Sequence, residues 1–338
     1  MRVTQQDIAR AAHVSQATVS RVLAGDARVE PAKRDRVNAT IKATNYQPDV
    51  RAQALRRRRT NLFGLVLKRS HGELKDDPFF ASLVAEISQF LTSTPYHLCL
   101  DVATDAEQQS GIYDELLRSR RVDGLILVEP GVQDVRLQKL QEEGFPFVVI
   151  GNPRSSSMHS VDNDNVLAGR MATLHLIENG YRSIGMVAGP EGIAVSDDRL
   201  TGYRLAMNER GLTPRYWHSD FGHRSAAQTA TNILKDAGRP QGLVVMDDFM
   251  ALGVSRAAQT LGITVPDQLS LVSFSVSNLC SLVESGLTTV DMNIEQLVAL
   301  SCRKLIEVAE NRSSEPSRSV VACELKSRAS SRPAVGVM

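Results

Sequence analysis

Residues Thr4 to Leu23, TQQDIARAAHVSQATVSRVL, decide how the start of this chain folds. Thr4 can cap a helix, because its hydroxyl can accept a hydrogen bond from a free backbone N–H while Asp7, three residues on, bonds back to the cap. Ser15 provides a second cap after a break at His13-Val14. The pattern predicts two short helices joined by a tight turn, with the apolar residues of each helix packed on the other.

The face of the second helix that points away from the first is small and polar. It carries Gln16, Ala17, Ser20 and Arg21. Such a pair suits a helix-turn-helix whose second helix lies in the major groove of DNA. In the groove, Gln can pair with adenine and Arg with guanine, while Ala or a Thr methyl can contact thymine methyl groups. An ordinary helical hairpin is the alternative that this stretch leaves open.

The stretch closely resembles the start of the LacI-type (lactose repressor) family of bacterial transcription regulators. It reproduces the family pattern T-x-x-D-I-A-x-x-A-x-V-S-x-x-T-V-S-R-V-L in register, and the resemblance extends over nearly the whole chain. Further matching positions are Val29, Arg34, Val37, Asn45-Tyr46-x-Pro48, Ala52-x-x-Leu55, Asp77-Pro78-Phe79-Phe80, Val122-Asp123-Gly124, Pro146-x-Val148-x-Ile150, Asp164-Asn165, Arg199-Leu200-x-Gly202-Tyr203 and Leu287-Thr288-Thr289-Val290.

Charge is distributed unevenly along the 338 residues, although the net charge is only +1. Residues 1–60 contain 13 Lys and Arg against 5 Asp and Glu, whereas the remainder contains 26 against 33. A basic head on an acidic body predicts that the head meets DNA phosphates and that the body does not. Four dispersed cysteines, no long apolar run and no signal peptide predict a cytoplasmic, nucleoid-associated protein with no membrane partner.

A third helix is predicted from Pro31 to about Thr44, with Val37 and Ile41 turned inward. Basic side chains on and beside it are available to backbone phosphates, although a solvated basic face is the alternative. With the resemblance, the residues expected to contact DNA are Thr4, Ser15, Gln16, Ala17, Thr18, Ser20, Arg21, Arg28, Lys33, Arg34, Tyr46, Arg51, Ala52, Leu55 and Arg56.

Residues 45–59, NYQPDVRAQALRRRR, predict a segment too short to be a stable helix by itself. Pro48 stops the third helix, and Asp49 can cap a short one. The resemblance implies a hinge helix that orders on operator DNA, with Leu55 of both subunits wedged into a central minor-groove step. A flexible basic linker is the alternative. The family usually has Asn in place of Asp49, and a carboxylate there weakens any phosphate contact.

From Leu62 onward, short apolar strands alternate with amphipathic helices, which predicts parallel sheets with helices on both faces. Two such runs indicate two lobes with a ligand between them, at the carboxyl ends of the strands. The resemblance implies an α/β periplasmic-binding-protein-like body of two doubly wound sheets behind an all-α head. Strands are predicted near 62–68, 96–102, 123–128, 146–150, 183–188, 241–246 and 269–274, and helices near 79–93, 105–119, 133–143, 164–179, 197–210, 224–237 and 248–261.

The resemblance also implies three crossings between the lobes, which we place near Ser160, Asp291 and Pro316. The helix near 293–310 would then belong to the first lobe and the last strand, near 319–326, to the second. The predicted domains are a head at 1–48, a hinge at 49–60, a first lobe at 61–160 and 292–316, and a second lobe at 161–291 and 317–338. Because no leucine heptad follows Ser327, we expect a homodimer and no tetramerisation coil.

A small polyol or nucleobase needs an aromatic wall and a few fixed polar groups. The resemblance places such groups between the lobes, with Arg199 as the effector-binding arginine, although core packing or an interlobe salt bridge would also explain individual residues. The expected effector-binding residues are Phe79, Phe80, Asp164, Arg199, Phe221, Asp247 and Ser275.

One departure concerns the G-[FY]-D-D pattern that family members commonly carry after the last strand of the second lobe. This chain has Ser273-Phe274-Ser275-Val276 there, so the usual ligand-holding carboxylate is absent. Either the effector is unusual or binds weakly, or Asp247 supplies the acid instead. A sugar or sugar derivative is the first expectation for the effector. A nucleobase or other metabolite, or a sugar receptor without specific DNA recognition, is the alternative.

Known catalytic motifs are missing from the sequence. It contains no G-x-G-x-x-G after a strand, no G-x-x-x-x-G-K-[ST], no H-E-x-x-H and no G-x-S-x-G, and its seven histidines are dispersed. We therefore expect no enzymatic activity, no cofactor and no metal. The predicted protein is a repressor whose partners are operator DNA, a small effector and a second copy of itself.

Overall fold

The structure, a computed structural model, describes residues 3–46, 59–69, 77–275, 286–312 and 315–333. Its contacts divide the chain into two units, Met1–Thr60 and Asn61–Met338. No helix in the described ranges is long and apolar enough to cross a membrane. The predictions for Asp49, Arg51, Ala52, Leu55, Arg56 and Val276 lie outside the described residues.

The first unit contains the three predicted helices, α1 (Gln5–Ala11), α2 (Gln16–Leu23) and α3 (Pro31–Thr44). The predicted capping box is present, because the Thr4 N–H donates to Asp7 Oδ2 at 2.9 Å and the Asp7 N–H donates to Thr4 Oγ1 at 3.3 Å. Ser15 caps α2 by accepting from the Thr18 N–H at 3.2 Å. The helix-turn-helix prediction is confirmed.

The core of the first unit takes one fully buried aliphatic side chain from each helix, Ile8, Val19 and Val37. Pro31 starts α3, where its missing N–H has no intrahelical partner to lose. The helix ends at Asn45, whose left-handed backbone (φ 47°) closes the last turn. This small core fixes the angle at which α2 is presented.

The second unit contains two six-stranded sheets, and the bilobal α/β prediction is confirmed. The strands of the first sheet are β1 (Leu62–Lys68), β2 (His97–Ala103), β3 (Gly124–Val128), β4 (Phe147–Ile150), β5 (Ser160–Asn163) and β11 (Arg318–Val321). Those of the second are β6 (Ile184–Ala188), β7 (Arg215–His218), β8 (Gly242–Val245), β9 (Ser270–Ser275), β10 (Thr288–Asp291) and β12 (Glu324–Lys326). The strand orders are β11-β5-β4-β3-β1-β2 and β12-β10-β9-β8-β6-β7.

All described strand pairs are parallel except β10 with β12. Helices cover both faces of the central strands, which explains why these strands read as continuous apolar runs. The covering helices are α4 (Pro78–Leu91), α5 (Ala106–Ser119), α6 (Val135–Glu142), α7 (Asn165–Glu178), α8 (Ala194–Glu209), α9 (His223–Leu234), α10 (Asp248–Thr260) and α11 (Ile294–Ala309).

Two predicted changes of lobe fall elsewhere in the structure. The first change of lobe lies just after Asn163, slightly beyond the predicted position at Ser160, because Ser160–Asn163 pairs with β4 and with β11. The prediction that one last strand near 319–326 belongs to the second lobe is wrong. Arg318–Val321 joins the first sheet and only Glu324–Lys326 joins the second, so this crossing lies after Val321 and not near Pro316.

The physical reason for the position of the third crossing is an ion pair. Arg318 Nη2 donates to the buried carboxylate of Asp162 at 3.1 Å, which favours pairing of β11 alongside β5. Asn163 Nδ2 then donates to the carbonyls of Met292 and Val321, at 2.9 and 3.2 Å. One amide thereby connects the three chain segments that pass between the lobes.

Candidate functional site

The outward face of α2 combines the side chains expected to read DNA bases. Gln16, Ala17 and Arg21 are exposed, and Thr18 is half-buried beside them. A groove of about 330 Å³ adjoins this face and is lined by Thr18, Arg21, Asp26, Arg28, Val29, Glu30 and Lys33. The arrangement presents a short polar helix with cations at its carboxyl end, which suits entry into a major groove between phosphates.

The three basic residues expected at phosphates differ in their present partners. Arg28 donates through Nε and Nη2 to Asp26 at 2.9 Å each, and this bond from Arg28 lowers the pKa of Asp26 to about 2. Lys33 pairs with Glu30 at 2.8 Å. Arg34 Nη2 donates to three carbonyls of the 26–29 loop at 3.2–3.4 Å. Arg34 therefore holds the loop after α2 in place.

Two of the residues expected to contact DNA are buried. Ser20 is 9% exposed, contrary to the expectation that it lies on the outward face of α2. Because α2 packs on both α1 and α3, it buries a wider face than a two-helix hairpin would. Tyr46 is also 9% exposed and belongs to the core of the first unit. Both side chains support the head from inside.

A cavity of about 350 Å³ lies in the second unit at the carboxyl ends of strands from both sheets; we call it the effector cavity. This is where a doubly wound sheet binds ligands. It is lined by Arg69, Asp77, Pro78, Phe79, Glu129, Val195, Arg199, Phe221, Gly222, His223, Arg224, Ser225, Met246, Asp247, Asp248 and Phe249. Four of the seven expected effector-binding residues line it: Phe79, Arg199, Phe221 and Asp247.

Arg199 is the best-defined polar group of the effector cavity. It is 6% exposed, its Nε donates to Asn165 Oδ1 at 3.0 Å and its Nη1 donates to the Met246 carbonyl at 2.7 Å. Its guanidinium also lies 4.3 Å from the centroid of the Phe274 ring. Burial lowers the pKa of Arg199 to about 10, so the side chain remains charged at neutral pH. Its Nη2 has no acceptor among the described residues and is available to a ligand oxygen.

Two glycines let α7 and α8 approach closely enough to place Arg199. A Cβ on Gly169 would lie 2.1 Å from the Arg199 carbonyl oxygen, and a Cβ on Gly202 would lie 1.9 Å from the Val166 carbonyl oxygen. No side chain fits at these separations. The sequence thus positions the arginine through two residues that never touch the cavity.

Asp247 and Asp248 have separate roles. Asp247 caps α10 by accepting from the Met250 N–H at 2.6 Å, and it also lines the cavity. Burial raises the pKa of Asp247 to about 7, and the nearby Asp248 and Asp77 carboxylates add to this effect. Asp248 is 1% exposed and accepts from Ser275 Oγ at 3.4 Å.

Three expected effector residues do not line the cavity. Ser275 is buried and faces Asp248. Asp164 is exposed and caps α7, accepting from the Leu167 N–H at 2.8 Å. Phe80 lies behind Phe79, with ring centroids 5.2 Å apart. Asp247 lines the cavity together with the carboxyl groups of Asp77, Glu129 and Asp248.

Arg69 also lines the cavity, although it is not among the residues that the sequence predicted there. Its Nη1 and Nη2 donate to the two carboxylate oxygens of Glu129 at 2.8 and 2.5 Å, and its Nε donates to Asp77 at 3.3 Å. Burial lowers the pKa of Arg69, but the carboxylates of Glu129 and Asp77 outweigh burial and raise it. Arg69 follows β1 and Glu129 follows β3, so their place after parallel strands could have identified both.

The Arg69 side chain also connects the two lobes. Its guanidinium lies 4.5 Å from the ring centroid of Phe80 in the first lobe and 5.1 Å from that of Phe221 in the second. A cation over an aromatic face is attracted by the ring quadrupole. A second link across the cleft joins Arg154 to Asp198 at 2.7 Å. Both contacts join residues of different lobes beside the cavity.

Two family models match the chain. The model for bacterial regulatory proteins of the lacI family matches residues 4–49, and the periplasmic binding protein-like domain matches residues 173–331. Among similar proteins, the HTH-type transcriptional regulator CelR of Thermobifida fusca is 31% identical to this chain. The alignment covers 97% of this chain and 98% of CelR. The HTH-type transcriptional regulator MalR of Streptococcus pneumoniae is 29% identical, over 91% of this chain and 93% of its own.

Solved structures agree with this relationship. A complex of the regulator CelR with cellobiose has a TM-score of 0.75 at 29% identity and covers 98% of this chain and 100% of its own. The lac repressor dimer bound to operator and the anti-inducer ONPF has a TM-score of 0.87 at 23% identity, over 98% and 100% of the two chains, which shows the common fold. The chain belongs to the LacI family of bacterial regulatory proteins.

Proposed function

We propose that the chain is a sequence-specific, ligand-responsive transcriptional repressor that binds a near-palindromic operator as a homodimer. The observation that carries this proposal is the capped α2, which presents Gln16, Ala17 and Arg21 outward from a rigid three-helix core. The basic charge of residues 1–60 adds affinity for any duplex. The protein acts by binding and does not catalyse a reaction.

The domain roles follow the boundaries expected from the sequence. Residues 1–48 form the DNA-binding head and residues 49–60 the hinge, and the remainder forms the effector-binding body. Leu55 is assigned to the centre of the operator, where an apolar wedge flanked by arginines can open a base step from the minor groove. Two heads then occupy successive major grooves about one helical turn apart.

The effector is assigned to the cavity that contains Arg199 and Asp247. A fixed cationic donor opposite a carboxylate acceptor can hold neighbouring hydroxyl groups, while Phe79, Phe221 and Phe249 offer faces to the C–H side of a ring. A sugar or sugar derivative meets these requirements. The cellobiose complex of the similar regulator CelR supports the same class of ligand.

Edge strand β2 supports self-association. Its Leu100 and Val102 are 43% and 37% exposed, and β2 is the last strand of the first sheet within the described residues. Such groups on a sheet edge favour burial against another protein surface. A second copy of the chain provides a symmetric partner for them.

The first test is selection of bound duplexes from a random pool, at near-physiological salt and without added metabolites. A palindrome with a flexible central step is expected. Arg21→Ala should lower affinity for this operator much more than for a scrambled duplex, since arginine to guanine contributes about 1–3 kcal/mol of discrimination. The matched control is Arg10→Ala on α1, whose side chain is 82% exposed and lies outside the α2 face. Recovery of no motif, with or without a metabolite mixture, would overturn the proposal.

The sign of the response follows from repeating the selection with sugars. A ligand that binds the cavity must favour one angle between the lobes over another to change hinge ordering. Release of the operator identifies an inducer and tighter binding identifies a corepressor. A ligand that binds but leaves operator affinity unchanged would contradict the coupling.

A further inference from the structure

Helix α8, which carries the arginine of the effector cavity, depends on the first lobe for its N-terminal cap. Its N-cap residue is Ile193, whose apolar side chain makes no capping bond. The N–H of Ala194, the first residue of the helix, instead donates to the Pro130 carbonyl at 3.0 Å. Since the first N–H groups of a helix have no intrahelical acceptor, this bond from the other lobe satisfies one of them. Separation of the lobes would remove it.

A second backbone bond runs beside this cap in the opposite direction. The Val132 N–H donates to the Gly192 carbonyl at 2.9 Å, and the two segments pair as an antiparallel bridge. We call residues 130–132 and 192–194 the interlobe bridge. The four residues that make its bonds are not among those that line the effector cavity, so the bridge does not depend on contacts with a ligand.

Arg154 holds the same turn of α8 from another segment of the first lobe. Its Nη2 pairs with Asp198 Oδ1 at 2.7 Å and donates to the Ala194 carbonyl at 3.3 Å. Asn152 Nδ2 donates to the other oxygen of Asp198 at 3.1 Å, so both carboxylate oxygens are bonded to the first lobe. Asp198 is 6% exposed, and removing the cation from a buried pair is strongly destabilising. The next residue of the helix is Arg199, so this ion pair acts one position from the effector-binding side chain.

The backbone of Arg154 lies in the left-handed region, with a φ of 56°. Glu129, which pairs with Arg69 at the other contact between the lobes, also has a positive φ, of 49°. The left-handed region is unfavourable for residues with a Cβ, and such strain clusters at ligand clamps and switch regions. Tertiary contacts to the second lobe therefore outweigh local backbone preference at both positions.

We propose that Arg154 is a positioning residue for Arg199, which acts by holding the first turn of α8 against the first lobe before an effector binds. This inference rests on the proposed function, because it concerns the regulation of the effector cavity. Together with the interlobe bridge, Arg154 preorganises the cavity, so that an effector does not have to close the lobes. Without the ion pair, only a fraction of the molecules would present Arg199 correctly, and the apparent affinity for the effector falls by that fraction.

Hydrogen–deuterium exchange of the full-length protein, without added sugar, tests the positioning. The Ala194 N–H is bonded to a carbonyl of the other lobe, so its exchange reports separation of the lobes. In Arg154→Met, peptides that contain Val132 or Ala194 should exchange about tenfold faster, while a peptide of α10 elsewhere in the second lobe should be unchanged. Arg154→Lys, which keeps a cation, should restore most of the protection.

The double variant Arg154→Met/Asp198→Asn separates positioning from stability. It removes the uncompensated buried charge, so its thermal midpoint should recover part of the loss in Arg154→Met. It still lacks the ion pair, so fast exchange of the Ala194 N–H should remain. The matched control is Arg170→Met, which removes an ion pair to Glu209 at the far end of the same helix, within the second lobe. Its Ala194 N–H should exchange as in the wild type.

Isothermal titration calorimetry with glucose, cellobiose and maltose as probes tests the consequence for the cavity. A probe that binds the wild type should bind Arg154→Met and the double variant about fivefold more weakly, and Arg170→Met with unchanged affinity. Wild-type exchange of the Ala194 N–H in Arg154→Met, or wild-type probe affinity in a double variant that exchanges fast, would overturn the inference. Recovery of a specific operator from the random pool is measured separately, so failure of the positioning role is distinguished from failure of the proposed function.

Discussion

Replacing Asn165 by alanine should destabilise the second unit and weaken effector binding, because this side chain connects Arg199 to Asp162. Its Oδ1 accepts from Arg199 Nε at 3.0 Å and its Nδ2 donates to Asp162 Oδ1 at 3.0 Å. All three residues are at most 6% exposed. Alanine leaves a buried guanidinium N–H without its acceptor, and a lost hydrogen bond to a charged group costs about 1.5–3 kcal/mol.

The loss of stability in Asn165→Ala can be measured as a fall in the midpoint temperature of thermal unfolding. A loss of about 2 kcal/mol corresponds to a fall of about 4–8 °C for a unit of this size. Circular dichroism of Asn165→Ala should show that fall, whereas Asn208→Ala, at an exposed position near the end of α8, should stay near the wild type. Equal midpoints for the two alanine variants would refute the connecting role.

Asn165→Asp separates the two bonds. It keeps an acceptor for Arg199 but replaces the donor to Asp162 with a negative charge. Burial raises the pKa of Asp162 to about 6, so its carboxyl group is ionised at pH 7.5 and largely protonated at pH 5. The midpoint of Asn165→Asp, relative to wild type at the same pH, should therefore recover as the pH falls. An unchanged difference between pH 7.5 and 5 would show that Asp162 is not its partner.

Four further predictions concern the two units. Gly169→Ala should lower the thermal midpoint, since its Cβ would lie 2.1 Å from the Arg199 carbonyl oxygen. The control is Gly111→Ala, which has open space at its Cβ and should leave stability unchanged or raise it by up to about 1 kcal/mol. Arg69→Met should lower the free energy of unfolding by about 3 kcal/mol, because it leaves the Glu129 and Asp77 carboxylates without their cation. Adding Glu129→Gln to this variant should restore part of that free energy. Arg34→Ala should weaken binding to operator and scrambled duplexes alike in a filter or anisotropy assay, because it releases the 26–29 loop, whereas Arg21→Ala should affect mainly the operator. The pKa of Asp247 is raised to about 7 in the folded state, so the folded protein holds this proton more tightly than the unfolded chain does, and stability falls as the pH rises from about 4 to 7. Asp247→Asn should remove that part of the pH dependence of the thermal midpoint.

Each of these predictions has a contrary outcome. Equal midpoints for Gly169→Ala and Gly111→Ala would mean that α7 and α8 can separate at little cost. A Glu129→Gln addition that lowers the midpoint of Arg69→Met further would show that the pair is not the source of the loss. Operator-selective weakening by Arg34→Ala would place that residue at a base. An identical pH profile for Asp247→Asn would assign the titration to another carboxyl group.

Local signals account for what the sequence predicted well. Thr4 with Asp7, Ser15 with Thr18, and Pro31 each act within one helical turn, so their spacing is sufficient to place the caps of α1 and α2 and the start of α3. The alternation of apolar strands with amphipathic helices likewise predicts parallel sheets without knowledge of their order. The resemblance added Arg199, Phe79, Phe221 and Asp247, which all line the cavity.

Non-local packing accounts for what the sequence did not predict. Arg69 and Glu129 are 60 positions apart and meet only because β1 and β3 are neighbours in the sheet. Burial of Ser20 and Tyr46 depends on how three helices meet, and the sheet joined by Arg318–Val321 depends on the carboxylate of Asp162 across 156 positions. By itself the sequence therefore determined the helix-turn-helix, the α/β class and the family. Only the tertiary structure decided which charged groups share the cavity and where the chain changes lobe, because those outcomes depend on contacts between segments whose own patterns permit several pairings.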